Sequence, residues 1–249
     1  MITAGQSAKR WYIFLVCFFI ITSSVSARYD GETMEIPALT SPLYPTSICS
    51  GSTFQYEATS ATSEVTFQWT RPYVSGISEP ATEGYDATIN ETLTNTTELP
   101  ITVKYVFTLT TSGNIVNTQD VLLTVNPMPV LTSKLILRSE CSGDAFDYYV
   151  AKSSTPGTTF SWTRTTIGVI PETNGSDSDY ISETLVNSTS DSIDMEYIFT
   201  LTANGCVNEQ TVSVLLKPMP RLSSTLSPAS ICSGSTFNYI QTNTVANTS

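Results

Sequence analysis

"SICSGSTF" at residues 47–54 returns letter for letter at 230–237, and "SECSGDAF" at 139–146 keeps the same frame between the two copies. The cysteines of the three copies, Cys49, Cys141 and Cys232, are almost evenly spaced along the 249 residues. A motif that recurs at a fixed period marks a repeated module. The chain is therefore read module against module before any residue is read for chemistry.

Behind the first copy come "FQYEAT", "VTFQWTR", "INETLTNTT", "VKYVFTLT" and "VLLTVNPMP". Behind the second come "FDYYVAK", "TTFSWTR", "ISETLVNST", "MEYIFTLT" and "VSVLLKPMP", in the same order. The third reaches "FNYIQTN" before Ser249. Pro-Met-Pro stands at 127–129 and again at 218–220. Proline has no N–H to give a ladder and holds φ fixed, so each copy ends strand pairing and stiffens the passage onward. These signals divide the chain into a linker at 28–40, a first module at 41–129, a second at 130–220 and the start of a third at 221–249.

Each shared segment alternates apolar and polar residues with a period of two, the pattern of a strand with one buried face. Val65, Phe67 and Trp69 point one way, and Thr66 and Gln68 the other. Val103, Tyr105, Phe107 and Leu109 repeat the pattern, as do Met195, Tyr197, Phe199 and Leu201. Asn204-Gly205 between alternating runs is a hairpin signal, because both residues tolerate positive φ. In the octapeptide, Ser-Gly is expected to bend the chain, and Phe54, Phe146 or Phe237 to start a strand with its ring turned inward. The reading is all-β: tandem antiparallel two-sheet sandwiches with an incomplete third repeat.

Ahead of the modules, Lys9 and Arg10 precede the short apolar run "WYIFLVCFFIIT", and Val25-Ser26-Ala27 offers small residues for cleavage. That is the pattern of a signal peptide over 1–27, and the run is too short for a membrane span. Val16 before Cys17 is a poor fit to a lipoprotein cleavage box. Loss of Lys9 and Arg10 makes the mature chain more acidic than the net charge of −11 for the whole. Such a surface repels nucleic acid. The expected destination is the exterior or the cell surface, where cysteines oxidise. Cys206 follows the Asn204-Gly205 turn, and a disulfide to Cys141 in the same module is expected. In the first module Asn114 or Ile115 stands where Cys206 would lie. Cys49 and Cys232 have no partner within their own modules, and a Cys49–Cys232 bond would have to span an intact module.

Taken together, "ICSGSTF", "FQWTR/FSWTR", "I-x-E-T-L-x-N-[TS]-T", "Y-x-F-T-L-T", "NGC" and "V-x-P-x-P" resemble the PKD-like repeats of surface proteins and adhesins from Bacteroidetes-type bacteria. The resemblance runs from about Ser41 to the end of the chain. It implies an immunoglobulin-like sandwich serving as a stalk or adhesion module on an exported, non-catalytic protein. Its partner would be an extracellular protein or glycan surface. The alternative is a carbohydrate- or protein-binding module that acts through its own loops.

For catalysis the sequence offers little. It has no histidine, which removes the usual base of nucleophilic triads and the commonest zinc ligand. No phosphate- or dinucleotide-binding glycine motif follows a strand, and no cofactor is expected. Glu91 and Glu183 occupy equivalent places, one per module, and are read as solvated or paired with Arg71 or Arg164. Trp69 and Trp162 could hold sugar rings, but their alternation places them in the core; Tyr73, Tyr85 and Tyr180 lie in or near loops. Asp177 and Asp179 supply only part of a calcium ligand set. Glycosylation sequons stand at Asn90, Asn95, Asn174, Asn187 and Asn247, of which Asn95 and Asn187 are equivalent and suit a structural role at a turn. Phe237 and Tyr239 in the last segment would lack a module to receive them, making 221–249 a candidate for strand addition to another sheet.

Overall fold

The computed structural model describes residues 27–29, 32–146, 149–164, 173–175 and 179–243. The expected signal segment up to residue 26 lies outside the described residues. A short antiparallel hairpin, β1 (Ala27–Tyr29) with β2 (Glu32–Met34), opens the description. The first module then contributes β3 (Ile48–Cys49), β4 (Ser52–Glu57), β5 (Val65–Arg71), β6 (Thr82–Gly84), β7 (Thr88–Leu93), β8 (Ile101–Thr111) and β9 (Val116–Asn126). The second contributes β10 (Glu140–Cys141), β11 (Tyr149–Val150), β12 (Thr159–Arg164), β13 (Thr173–Gly175), β14 (Tyr180–Ile181), β15 (Ile193–Ala203) and β16 (Cys206–Lys217).

Each module is a two-layer sandwich. In the first, a five-stranded sheet of order β3-β9-β8-β5-β6 faces the pair β4-β7, and in the second the order β10-β16-β15-β12-β13 faces β11-β14. Pairing is antiparallel except that β3 runs parallel to β9 and β10 parallel to β16. The long hairpins β8–β9 and β15–β16 form the spine. Residues with a period of two turn Val103, Tyr105, Phe107 and Leu109 into the first core, and Met195, Tyr197, Phe199 and Leu201 into the second. Large rings fill the space between sheets. Trp69 meets Tyr105 edge to face at 5.7 Å between centroids, and Trp162 meets Tyr197 at 5.4 Å. Such contacts add about 0.5–1.5 kcal/mol to the burial of the rings.

Both tryptophans are buried, and each indole satisfies its N–H on a backbone carbonyl of the facing layer: Trp69 on Thr88 at 2.9 Å, Trp162 on Tyr180 at 3.0 Å. Leu39, in the stretch assigned by sequence to the linker, bridges to Ser60 and is buried in the first core. Its counterpart Leu131 bridges to Ser153 and is buried in the second. In the last segment Leu222 bridges to Asn243 in the same way, and Ser224 Oγ meets Tyr239 OH at 2.7 Å as Ser41 meets Tyr56. Phe54, expected to open a strand, is the third residue of β4, with its ring buried as expected. Phe146 is buried just ahead of β11, and Phe237 is exposed, outside any described strand. It stacks on Tyr239.

Gly84 lies opposite Trp69 in the β5–β6 register, and a Cβ there would fall 2.4 Å from the indole ring. The indole is held by its Thr88 hydrogen bond and has nowhere to retreat. Gly84→Ala should therefore cost about 1–3 kcal/mol by overpacking, read as a lower urea midpoint, while Glu83→Ala beside it changes stability by less than about 0.5 kcal/mol.

Candidate functional site at the joint between modules

Each residue of the Cys-Ser-Gly triplet has its own task. Gly51 and Gly143 adopt φ of 81° and 86°, a left-handed bend that glycine enters without a Cβ clash. Their N–H groups donate to Leu93 and Leu185 carbonyls at 2.8 Å, tying the bend to the opposite layer. The serines pin a second loop. Ser50 Oγ accepts from Asn95 N at 3.0 Å, and Ser142 Oγ from Asn187 N at 2.9 Å. Asn95 then donates through Nδ2 to the Leu99 and Val125 carbonyls, and Asn187 to those of Asp191 and Leu216. Both asparagines are buried. Their amide nitrogens are committed to the fold, so the sequons at these two positions are closed to a glycan once the module has formed.

The cysteine of the triplet points out of its own module. Cys49 is bonded to Cys206 of the second module, with a Cα–Cα distance of 5.6 Å and a sequence separation of 157. This overturns the expected Cys141–Cys206 pairing; Cys141 and Cys232 are free and exposed. Strand length explains the correction. Cys141 lies beside Lys217 at the end of β16, and Cys206 begins that same strand. At about 3.3 Å per residue the two thiols are separated by the length of the module, on the order of 36 Å.

Around the bond the two modules touch through polar groups. Asn126, the last residue of β9, donates through Nδ2 to the Asn204 carbonyl at the tip of the β15–β16 turn, at 2.9 Å. Asn208 Nδ2 donates to the Pro129 carbonyl at 2.9 Å. Pro127 and Pro129 are buried. Asn204 and Gly205 carry φ of 52° and 78°, so the turn is as narrow as the sequence predicts and fits against the end of the preceding module. The pairing was foreshadowed by one unread signal: three Cys-Ser-Gly cysteines share a single turn cysteine, and it sits in the module that follows the first.

The carboxylates take a more buried role than sequence suggests. Arg71, whose side chain is 1% exposed, grips Glu91 with Nε at 3.0 Å and Nη2 at 3.3 Å. Tyr105 donates its hydroxyl to Glu91 Oε2 at 2.6 Å, and Arg71 Nη2 also reaches the Pro80 carbonyl. Module two repeats the triad with Arg164, Glu183 and Tyr197, the Arg164 distances being 2.9 Å. Of the two readings the sequence allows, the arginine-paired one holds, and the pair lies between the layers. Burial, and next the bonded Glu91 or Glu183, push the phenols of Tyr105 and Tyr197 far above their ordinary value. Burial works against the charge on Arg164, but the hydrogen bonds and charge of Glu183 outweigh it and hold that charge above its ordinary range. A glutamate engaged by an arginine and a tyrosine inside a sandwich is a structural anchor.

Tyr73, Tyr85 and Tyr180 are exposed. Asp177 lies outside the described residues, and no group of three or more metal-ligating side chains occurs among those described. No helix among the described residues is long and apolar enough to cross a membrane.

Comparison with known proteins supports the internal repeat. The family model for the PKD-like domain matches twice, at residues 46–129 and 138–220. The chain belongs to the PKD-like domain family. Among curated proteins none matches it. Solved structures similar to it include an I-band fragment of titin, I67–I69, at 13% identity and a TM-score of 0.38, covering 76% of this chain and 68% of that one. Another is the Ig1+Ig2 pair of DIP-gamma, at 10% identity and 0.34, covering 74% and 98%. A third is mouse cadherin-23 EC22–24, at 13% and 0.31, covering 74% and 64%. In the PKD-like domains of this chain, a disulfide joins one module to the next, as suits an oxidising compartment.

Two outcomes follow from the triads. Glu91→Ala leaves the Arg71 charge buried and unpaired and should cost about 3–5 kcal/mol. Lys104→Ala, which removes a half-exposed pair with Asp120, should cost less than about 1 kcal/mol; urea unfolding of both variants reads the contrast. The phenols give the second. Their folded values are raised, so their contribution is complete below the unfolded value near 10 and is lost as pH climbs through the folded value. Stability measured against pH should fall above about pH 10, and more gently in the Tyr105→Phe, Tyr197→Phe double variant.

Proposed function

We propose that this chain is an exported, non-catalytic surface protein whose PKD-like modules form a load-bearing stalk that holds an adhesive element toward an extracellular protein or glycan. The observation that carries the reading is the Cys49–Cys206 bond. Tension entering from the amino-terminal side reaches Cys49, crosses the disulfide to Cys206 and leaves along β16. Almost all of the first sandwich, and the second as far as the β15–β16 turn, lie inside the closed loop. They are shielded from extension while the bond lasts. The signal pattern at 1–27 and the basic-poor surface support export and argue for a role outside the cell. The sandwiches hold their aromatic rings and their equivalent glutamates, Glu91 and Glu183, in packing and ion pairs, leaving those groups to structure.

Single-molecule stretching between the two ends tests the proposal. In the oxidised chain, only segments outside the disulfide loop should lengthen under load. After reduction the loop between the cysteines, a sequence separation of 157, becomes extensible, adding on the order of 500 Å at about 3.3–3.6 Å per residue. Equal released lengths before and after reduction would remove the load-bearing role.

A further inference from the structure

Cys141 stands in the second module where Cys49 stands in the first. Cys49 pairs in parallel register with Asn126 and Cys141 with Lys217, each at the end of its module's last strand. Ser50 N donates to the Asn126 carbonyl at 2.8 Å and Ser142 N to that of Lys217 at 2.9 Å, and the following glycines share the same left-handed bend. Of these two equivalent thiols, one is bonded to the hairpin turn of the module that follows it, and the other is exposed.

Two independent observations say what Cys141 awaits. The surface around it is the one that the turn covers at the first joint. Asn126 and Pro129 are buried there, whereas their counterparts Lys217 and Pro220 are exposed at the end of the second module. The turn cysteine is also distributed as the pairing requires. The turn of the first module carries Asn114 and Ile115, and the turn of the second, the module that follows Cys49, carries Cys206. Directly after Pro220 the chain begins to build another module, with the Leu222–Asn243 bridge and the Ser224–Tyr239 contact already in place.

We infer that Cys141 is the receiving half of a second inter-module disulfide, which takes the turn cysteine of a PKD-like module seated on the carboxy-terminal end of the second one. Two thiols are oxidised to one disulfide. Their two electrons and two protons pass to a second disulfide, that of a small thiol or a thiol–disulfide oxidoreductase, which leaves as two thiols. The modules are thus coupled in a directed series, each receiving at one end and donating at the other. The inference concerns assembly, and it stands or falls apart from the stalk reading.

The test extends the full chain after Ser249 by a second copy of residues 160–220, which completes the third module in register and supplies its Asn-Gly-Cys turn. Free thiols are alkylated, the oxidised protein is digested without reduction, and the linked peptides are mapped. Cys141 should be joined to the appended turn cysteine and be protected from alkylation to the same extent as Cys49. With Cys141→Ser, the appended turn cysteine should become alkylated while Cys49–Cys206 persists. A second chain, with a complete copy of residues 130–220 in place of 221–249, guards against a hybrid that fails to fold. Alkylated Cys141 in both chains, in molecules whose Cys49–Cys206 bond has formed, overturns the inference. So does a bond from the appended turn to Cys232.

Discussion

The last strand of each module sets the geometry of everything around it. β9 and β16 run the full length of their sandwiches, from the hairpin turn at one end to the Pro-Met-Pro exit at the other. The Cys-Ser-Gly bend joins such a strand only at its exit, through the short parallel pairing. A module built on this strand has two chemically distinct ends. The turn of one can then meet the bend of the module before it, and a bond within one module is geometrically closed.

Polar anchoring inside the sandwich is the second theme. Burying an arginine is costly unless its charge is met and its donors are used. In both modules the inward face of the strand that carries the tryptophan ends in an arginine, and the facing layer supplies the glutamate. A tyrosine from the long hairpin closes the third side. The triad links strands from both layers, and a slip of one residue in β5 or β12 would turn the arginine to solvent and leave the carboxylate behind. It serves as a register mark as much as an attraction.

Much of this was legible in the letters. Alternation placed Val103 to Leu109 and Met195 to Leu201 on buried faces, and the family resemblance agrees with the two PKD-like matches. The partner of Glu91 was legible as Arg71, because both recur at equivalent positions; the depth of the pair was not, since an arginine in a strand looks like an exposed residue until the alternation is carried one step past Trp69. The expected Cys141–Cys206 bond fails because a cysteine beside the turn is not thereby near the bend of the same module. Period-two patterns tell which face a residue occupies and leave open which end of the sandwich it reaches. Leu39 and Leu131 were missed for a related reason: an isolated bridge of one residue has no alternation to reveal it.

Ribosomal synthesis delivers Cys49 before Cys141, and Cys141 before Cys206. A thiol that oxidised at the earliest opportunity would meet the wrong mate, because Cys141 emerges long before the native one. Closure of the second sandwich removes that error by carrying Cys141 to the far end and presenting Cys206 at the near one. The Cys49–Cys206 bond is thus matched to the folded geometry of the second sandwich, which sets Cys206 at one end and Cys141 at the other.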